Sequence, residues 1–170
     1  KMIKDFPEKK FLAGGEESFG YMVGDFVRDK DAVTATLLAC EIASTALSNG
    51  ESFYDQLLKA YKSFGLFQEK LVSFVKKGKE GVLEIQKMMD NFRKHPPKHI
   101  GGEKIKTIED FKSGTKYNCI EEKKETILLP KSDVIIFTTE HGSMIAIRPS
   151  GTEPKIKFYF SVNIPLIKQS

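Results

Sequence analysis

Val134 to Phe160 reads VIIFTTEHGSMIAIRPSGTEPKIKFYF, three β-rich runs separated by two polar turns. The runs are Val134 to Thr139, Ser143 to Arg148 and Lys155 to Phe160, each dominated by β-branched and aromatic residues. In the last run Ile156, Phe158 and Phe160 alternate with Lys155, Lys157 and Tyr159, the signature of a strand buried on one face. Ile145 and Ile147 share one face of the middle run, and Arg148 continues the opposite face at its end. Glu140-His141-Gly142 is short enough to join the first two runs as a hairpin.

The second turn, Arg148-Pro149-Ser150-Gly151-Thr152-Glu153-Pro154, carries an arginine fork, two hydroxyls and a glycine that exposes backbone N–H groups. That set suits a phosphate, and the bracketing prolines lower the entropy lost when an anion is held. The same residues also fit a polar hairpin loop whose arginine caps the sheet. Taken alone, they leave both readings open.

Toward the N-terminus, Lys79 to Lys94 predicts an amphipathic helix with Val82, Ile85, Met88, Met89 and Phe92 on one side. His95-Pro96-Pro97 ends it, because proline cannot continue the backbone ladder. Leu66 to Val75 is strand-like, and Ile105 to Phe111 and Tyr117 to Ile120 are weaker strand candidates. Residues 66–170 are therefore expected to form an α+β domain with an antiparallel sheet and helices on one face.

Residues 1–65 have a different texture, that of an α/β piece. Phe11-Leu12-Ala13 predicts a strand running into Gly14-Gly15, and Glu16 to Asp31 reads as a polar loop. Ala32 to Ser48 predicts a helix with Val33, Leu37, Cys40 and Leu47 at roughly helical spacing, Cys40 being read as a small core residue. Asp29 or Asp31 can cap its start, and Asn49-Gly50 supplies the left-handed stop. A second helix opens at Ser52, with Asp55 as its capping-box partner, and ends near Gly65. Within the loop, Gly14-Gly15-Glu16-Glu17-Ser18-Phe19-Gly20 places two carboxylates and a hydroxyl on a glycine-rich path. Carboxylates accept from vicinal hydroxyls and serine donates or accepts, equipment for gripping a sugar ring, although a solvated surface turn would use the same residues.

Composition narrows the classes. A formal net charge of +4 over 170 residues is too small to favour nucleic acid or acidic lipid, while suiting an anionic small molecule. The basic run Lys76-Lys77-Gly78-Lys79 has no aromatic interleaving, which ranks a small basic RNA-binding domain last. Cys40 and Cys119 fit neither a metal spacing nor a disulfide framework, and the prolines between His95 and His99 point to a solvated loop rather than a metal site. No signal peptide and no apolar run long enough for a helical membrane span is visible, so the expected location is the cytoplasm. The chain opens on Lys1 rather than methionine and reads from its first residues as the middle of something longer.

Gly-Glu-Glu-Ser-Phe-Gly at 15–20, followed by Arg28-Asp29-Lys30-Asp31 and then by Arg-Pro-Ser-Gly-Thr-Glu-Pro at 148–154, resembles the α-D-phosphohexomutase family, the phosphoglucomutases and phosphomannomutases. The resemblance covers nearly the whole chain. It implies that residues 1–65 are the C-terminal part of the third, α/β mutase domain and carry the sugar-binding loop. Residues 66–170 would be the C-terminal phosphate-binding domain, a TATA-binding-protein-like α+β fold. The family's enzymes are isomerases of carbohydrate metabolism, intramolecular phosphotransferases that move phosphate between C1 and C6 of a hexose. They use a phosphoserine, Mg²⁺ and a glucose or mannose 1,6-bisphosphate intermediate.

By that resemblance Glu16 and Ser18 contact sugar hydroxyls, while Arg148, Ser150, Gly151 and Thr152 hold the non-reacting phosphate and Lys30 adds positive charge near it. No Ser-His-Asn-Pro-type serine loop and no Asp-Gly-Asp-type metal loop occurs in the sequence. No catalytic or metal residue is therefore assigned to this chain, which is expected to be inactive alone and to work with the family's N-terminal domains on a hexose phosphate. No nucleic-acid or membrane partner is expected. The sequence stops soon after Phe160-Ser161-Val162-Asn163, where the family usually adds a helix. The alternative reading is a non-catalytic phosphosugar- or anion-binding module that kept the two loops.

Overall fold

The computed structural model describes residues 8–16, 19–151 and 153–166, and the chain divides into two compact units, Lys1–Ser63 and Phe64–Ser170. In the first unit, β1 (Ala13–Gly15) pairs antiparallel with β2 (Tyr21–Val23), and α1 (Ala32–Ser48) and α2 (Phe53–Phe64) follow. β2 lies inside the segment read as a loop: the glycine-rich turn reverses the chain so that Tyr21, Met22 and Val23 pair back, too short a run to show alternation. Asp31 caps α1, its carboxylate accepting from the N–H groups of Val33 and Thr34 at 3.1 and 3.3 Å. Asn49 closes the helix, and Gly50 at φ 72° supplies the left-handed stop. Ser52 and Asp55 form the predicted capping box, with Ser52 N–H donating to the Asp55 carboxylate at 2.8 Å.

Cys40 corrects the sequence reading: it is exposed. So are Val33, Leu37 and Leu47, at 78%, 63% and 72%, and Ala46 is the buried residue of α1. The apolar side chains of α1 run around the helix rather than along one stripe, and a two-stranded ribbon is the sheet this unit's described residues provide.

The second unit is built from β3 (Leu66–Val75), α3 (Gly78–Lys94), β4 (His99–Ile100), β5 (Glu103–Asp110), β6 (Thr115–Asn118), β7 (Lys123–Thr126), β8 (Ile135–Thr139), β9 (Met144–Pro149) and β10 (Lys155–Ile164). The strands form one sheet in the order β3-β10-β9-β8-β5-β6-β7, with β4 paired to β5 and every pairing antiparallel. The expected Tyr117–Ile120 strand is displaced to Thr115–Asn118, because the Asn118 side chain accepts from the N–H groups of Ile120 and Glu121 and turns the chain there. β7 was not legible in sequence. It reads Lys-Lys-Glu-Thr, fully exposed, and gains its strand conformation by pairing with β6.

β10 carries the architecture. It pairs over ten residues with β3 and over six with β9. Directly paired residues share a face, so Ile147 opposite Phe158 and Ile135 opposite Ile147 form one apolar stripe. Ile85 and Met89 of α3 pack onto it, burying Ile105, Ile135, Phe137, Ile147 and Ile156. Phe92 extends the contact, with its ring 6.3 Å from that of Phe137 and 6.1 Å from that of Phe158.

At the C-terminal end of α3, Arg93 donates to Asp110 of β5 at 3.1 Å and to Asp133, tying the helix to the sheet. Burial alone would raise the Asp110 pKa, but hydrogen bonding by Ser113 and Arg93 and the guanidinium charge hold it below its ordinary value. A carboxylate depressed on folding contributes stability that is present above its unfolded pKa and lost as pH falls through the folded one. Urea melts should therefore show this unit weakening as pH drops below about 4, with Asp110→Asn flattening that part of the profile. An unchanged slope in the variant would mean that the clamp contributes nothing.

Candidate functional site

The glycine-rich loop of the first unit is a tight hairpin. The Glu16 N–H donates to the Gly20 carbonyl at 2.9 Å, and the Phe19 N–H to the Glu16 carbonyl at 3.2 Å. Ser18 lies outside the described residues. Phe19 holds φ 65°, the left-handed region where a bulky side chain is strained, and it is 84% exposed.

Lys30 lies beside Glu16, its Nζ 3.6 Å from Glu16 Oε1 and 3.0 Å from Asp29 Oδ1. The hydrogen bond and charge of Asp29, with the charge of Glu16, raise the Lys30 pKa, and Asp29 is lowered in return. These side chains line a depression of about 270 Å³ together with Gly14, Gly20 and Arg28. The structure thus joins Lys30 to the carboxylate end of the loop. Asp29, read in sequence as one of two candidate helix caps and as part of the family quartet, pairs with Lys30 and leaves the cap to Asp31. The Arg28-Asp29-Lys30-Asp31 quartet was the available signal.

In the second unit the Arg148–Pro154 turn joins β9 to β10. The Ser150 N–H donates to the Lys155 carbonyl at 2.7 Å, and the Lys76 N–H to the Pro154 carbonyl at 2.8 Å, pinning both ends. Arg148 and Gly151 are exposed and Ser150 is half-buried, while Thr152 lies outside the described residues. A side chain at Gly151 would meet nothing within 4 Å, so the backbone there is open to an incoming group.

Arg148 sits directly opposite Lys157 on the sheet face away from the core, and Lys157 lies over the Tyr159 ring at 5.9 Å. Like charges opposed across strands are unfavourable. Neither cation has a carboxylate partner among the described residues, whereas neighbouring Lys155 pairs with Glu153 at 3.7 Å. An anion bound at the turn would relieve that repulsion. The sequence alternation placed Lys157 on the face of Arg148, but only the strand register sets the two side by side.

Among the described residues no three His, Cys, Asp or Glu side chains converge as metal ligands. They therefore do not fit the Mg²⁺ that the family resemblance brings with it, and no step is assigned here through one.

The second unit is thus an antiparallel sheet with a helix on one face and an arginine-led turn between β9 and β10, and the first unit carries an acidic hairpin. The family model described as phosphoglucomutase/phosphomannomutase, alpha/beta/alpha domain III, matches residues 1–63. That of the phosphoglucomutase/phosphomannomutase C-terminal domain matches residues 75–163. The chain belongs to the phosphoglucomutase/phosphomannomutase family and corresponds to its C-terminal portion. It is 36% identical to the phosphoglucomutase of Staphylococcus haemolyticus over 170 residues, covering 99% of this chain and 31% of that protein. With a Staphylococcus aureus phosphoglucomutase it shares 41% identity over 150 residues, 88% of this chain and 27% of the other. The chain thus spans about a third of the length of these curated relatives. In fold it is similar to the open form of parafusin, a phosphoglucomutase from Paramecium, with a TM-score of 0.60 at 18% identity, covering 91% of this chain and 26% of that one.

The strain at Phe19 has a measurable consequence. Phe19→Gly removes a left-handed bulky residue whose side chain packs on little, so the variant should match or exceed the parent in stability by up to about 1 kcal/mol. A loss of more than about 1 kcal/mol in urea melts would refute the strain.

Proposed function

We propose that this chain supplies the sugar- and phosphate-binding loops of a phosphohexomutase, an enzyme that moves phosphate between C1 and C6 of a hexose. The observation that carries this reading is the opposed Arg148–Lys157 pair beside an open, glycine-containing turn. In this reading the Arg148 guanidinium, the Ser150 hydroxyl and the N–H groups of Gly151 and Thr152 hold the phosphate that is not being transferred. Glu16 accepts from sugar hydroxyls and Ser18 donates to or accepts from them, which orients the ring. Lys30 acts beside them, adding positive charge where a phosphate group approaches the hexose.

Phosphoryl transfer depends on positioning and on neutralising charge at the transferring group. Holding one phosphate fixes which end of the hexose faces the reaction, and the sugar loop fixes its rotation. In the family a phosphoserine and Mg²⁺ would supply the chemistry of the transfer, and this sequence contains neither a Ser-His-Asn-Pro-type nor an Asp-Gly-Asp-type loop to hold them. The partners of the chain are then a hexose phosphate and the domains carrying those loops, and its place of work is the cytoplasm.

Two measurements test the proposal. Calorimetry with glucose 1-phosphate should show binding that Arg148→Ala weakens by about 1.5–3 kcal/mol, the worth of a charge-assisted hydrogen bond. Unchanged affinity would mean that this turn does not hold phosphate. The 170-residue chain given glucose 1-phosphate, Mg²⁺ and a bisphosphate activator should show no turnover. A rate well above the blank would contradict the assignment of the chemistry to other domains.

A further inference from the structure

Gly20 is not among the glycines with positive φ, so its φ does not call for glycine. Its value must lie in the missing side chain. A Cβ built there would stand 2.5 Å from Lys30 Cγ, 3.1 Å from Lys30 Cδ and 3.2 Å from Glu16 Oε2. The first distance is one that real Cβ atoms essentially never show, and the other two are tight. The stem of Lys30 therefore lies in the space that any other residue at position 20 would fill. Through that slot its ammonium reaches Glu16 at 3.6 Å and Asp29 at 3.0 Å.

We infer that Gly20 is a positioning residue: its bare Cα is the slot in which Lys30 lies, which sets the Lys30–Glu16 pair and turns the Glu16 carboxylate toward the depression. This rests on reading the hairpin as the hexose-binding loop. The backbone hydrogen bond from Glu16 N–H to the Gly20 carbonyl fixes the two residues against each other, so a side chain at 20 presses on both members of the pair. Lys30, the flexible member, is the one that must leave. Its departure removes a cation beside Glu16, and a carboxylate held by fewer partners binds vicinal hydroxyls less well.

A double-mutant cycle on the 170-residue chain decides the matter, with Gly20→Ala, Lys30→Ala and the double variant compared with the parent. Gly20→Ala should lower Tm clearly in the parent and much less in the Lys30→Ala background, where Cγ and Cδ are gone and only the tight Glu16 contact is left. A Gly20→Ala chain that fails to fold while the double variant folds supports the same conclusion. An equal penalty in both backgrounds overturns it. By calorimetry each single variant should weaken glucose 1-phosphate binding about two- to fivefold, the worth of an exposed ion pair, and the double variant no more than Lys30→Ala. Parental glucose 1-phosphate affinity in Gly20→Ala, or additive losses in the double variant, overturns the positioning role. A parent chain that does not bind glucose 1-phosphate at all overturns the hexose reading instead, and the Tm cycle still judges the packing of Lys30 on Gly20.

Discussion

The register between β9 and β10 is the constraint from which both core and candidate phosphate site follow. Ile147 opposite Phe158 and Arg148 opposite Lys157 are consecutive rungs of one ladder, so they project to opposite faces. The first rung meets α3 through Phe92, and the second sits at the base of the Arg148–Pro154 turn. A slip of one residue in β10 would bring its lysines into the core and its phenylalanines out beside Arg148. Burial of Ile156 at 0% exposure makes that slip costly, and the hydrophobic effect thereby also fixes the position of a cation.

Much of the second unit was legible because its residues alternate strongly. Ile156, Phe158 and Phe160 against Lys155, Lys157 and Tyr159 leave one reading, and Ile85, Met88, Met89 and Phe92 share a helical side that meets the same stripe. Where local pattern is weak, the chain was misjudged or missed. β7 has no apolar alternation and exists through its neighbour, while the Asn118 side chain moved the end of β6 by capturing two N–H groups. Cys40 failed for a different reason. Helical spacing says which residues share a side, but in a helix apolar all round it does not say which side is covered.

The candidate site divided the same way. The anion-binding reading of Arg148, Ser150 and Gly151 and the hydroxyl-binding reading of Glu16 are expectations that rest on residue types together with the family motifs. The register that brings Lys157 beside Arg148, and the packing of Lys30 across Gly20, are relations between segments. A linear pattern contains the participants but not their separation. The two loops also differ in how they are held. The Arg148 turn hangs from long strands whose core faces are filled, whereas the Glu16 hairpin hangs from two strands of three residues each and from its own backbone hydrogen bonds.

The charged strand β7 ends the sheet with Lys123, Lys124 and Glu125. An unpaired strand edge is a template on which another chain can polymerise, and lysine is a common device against it, because stacking identical copies would bring like charges together at strand spacing. Such protection matters most while a nascent chain waits for its core to close. The charges on this four-residue strand thus disfavour edge-to-edge pairing of the sheet with a second copy.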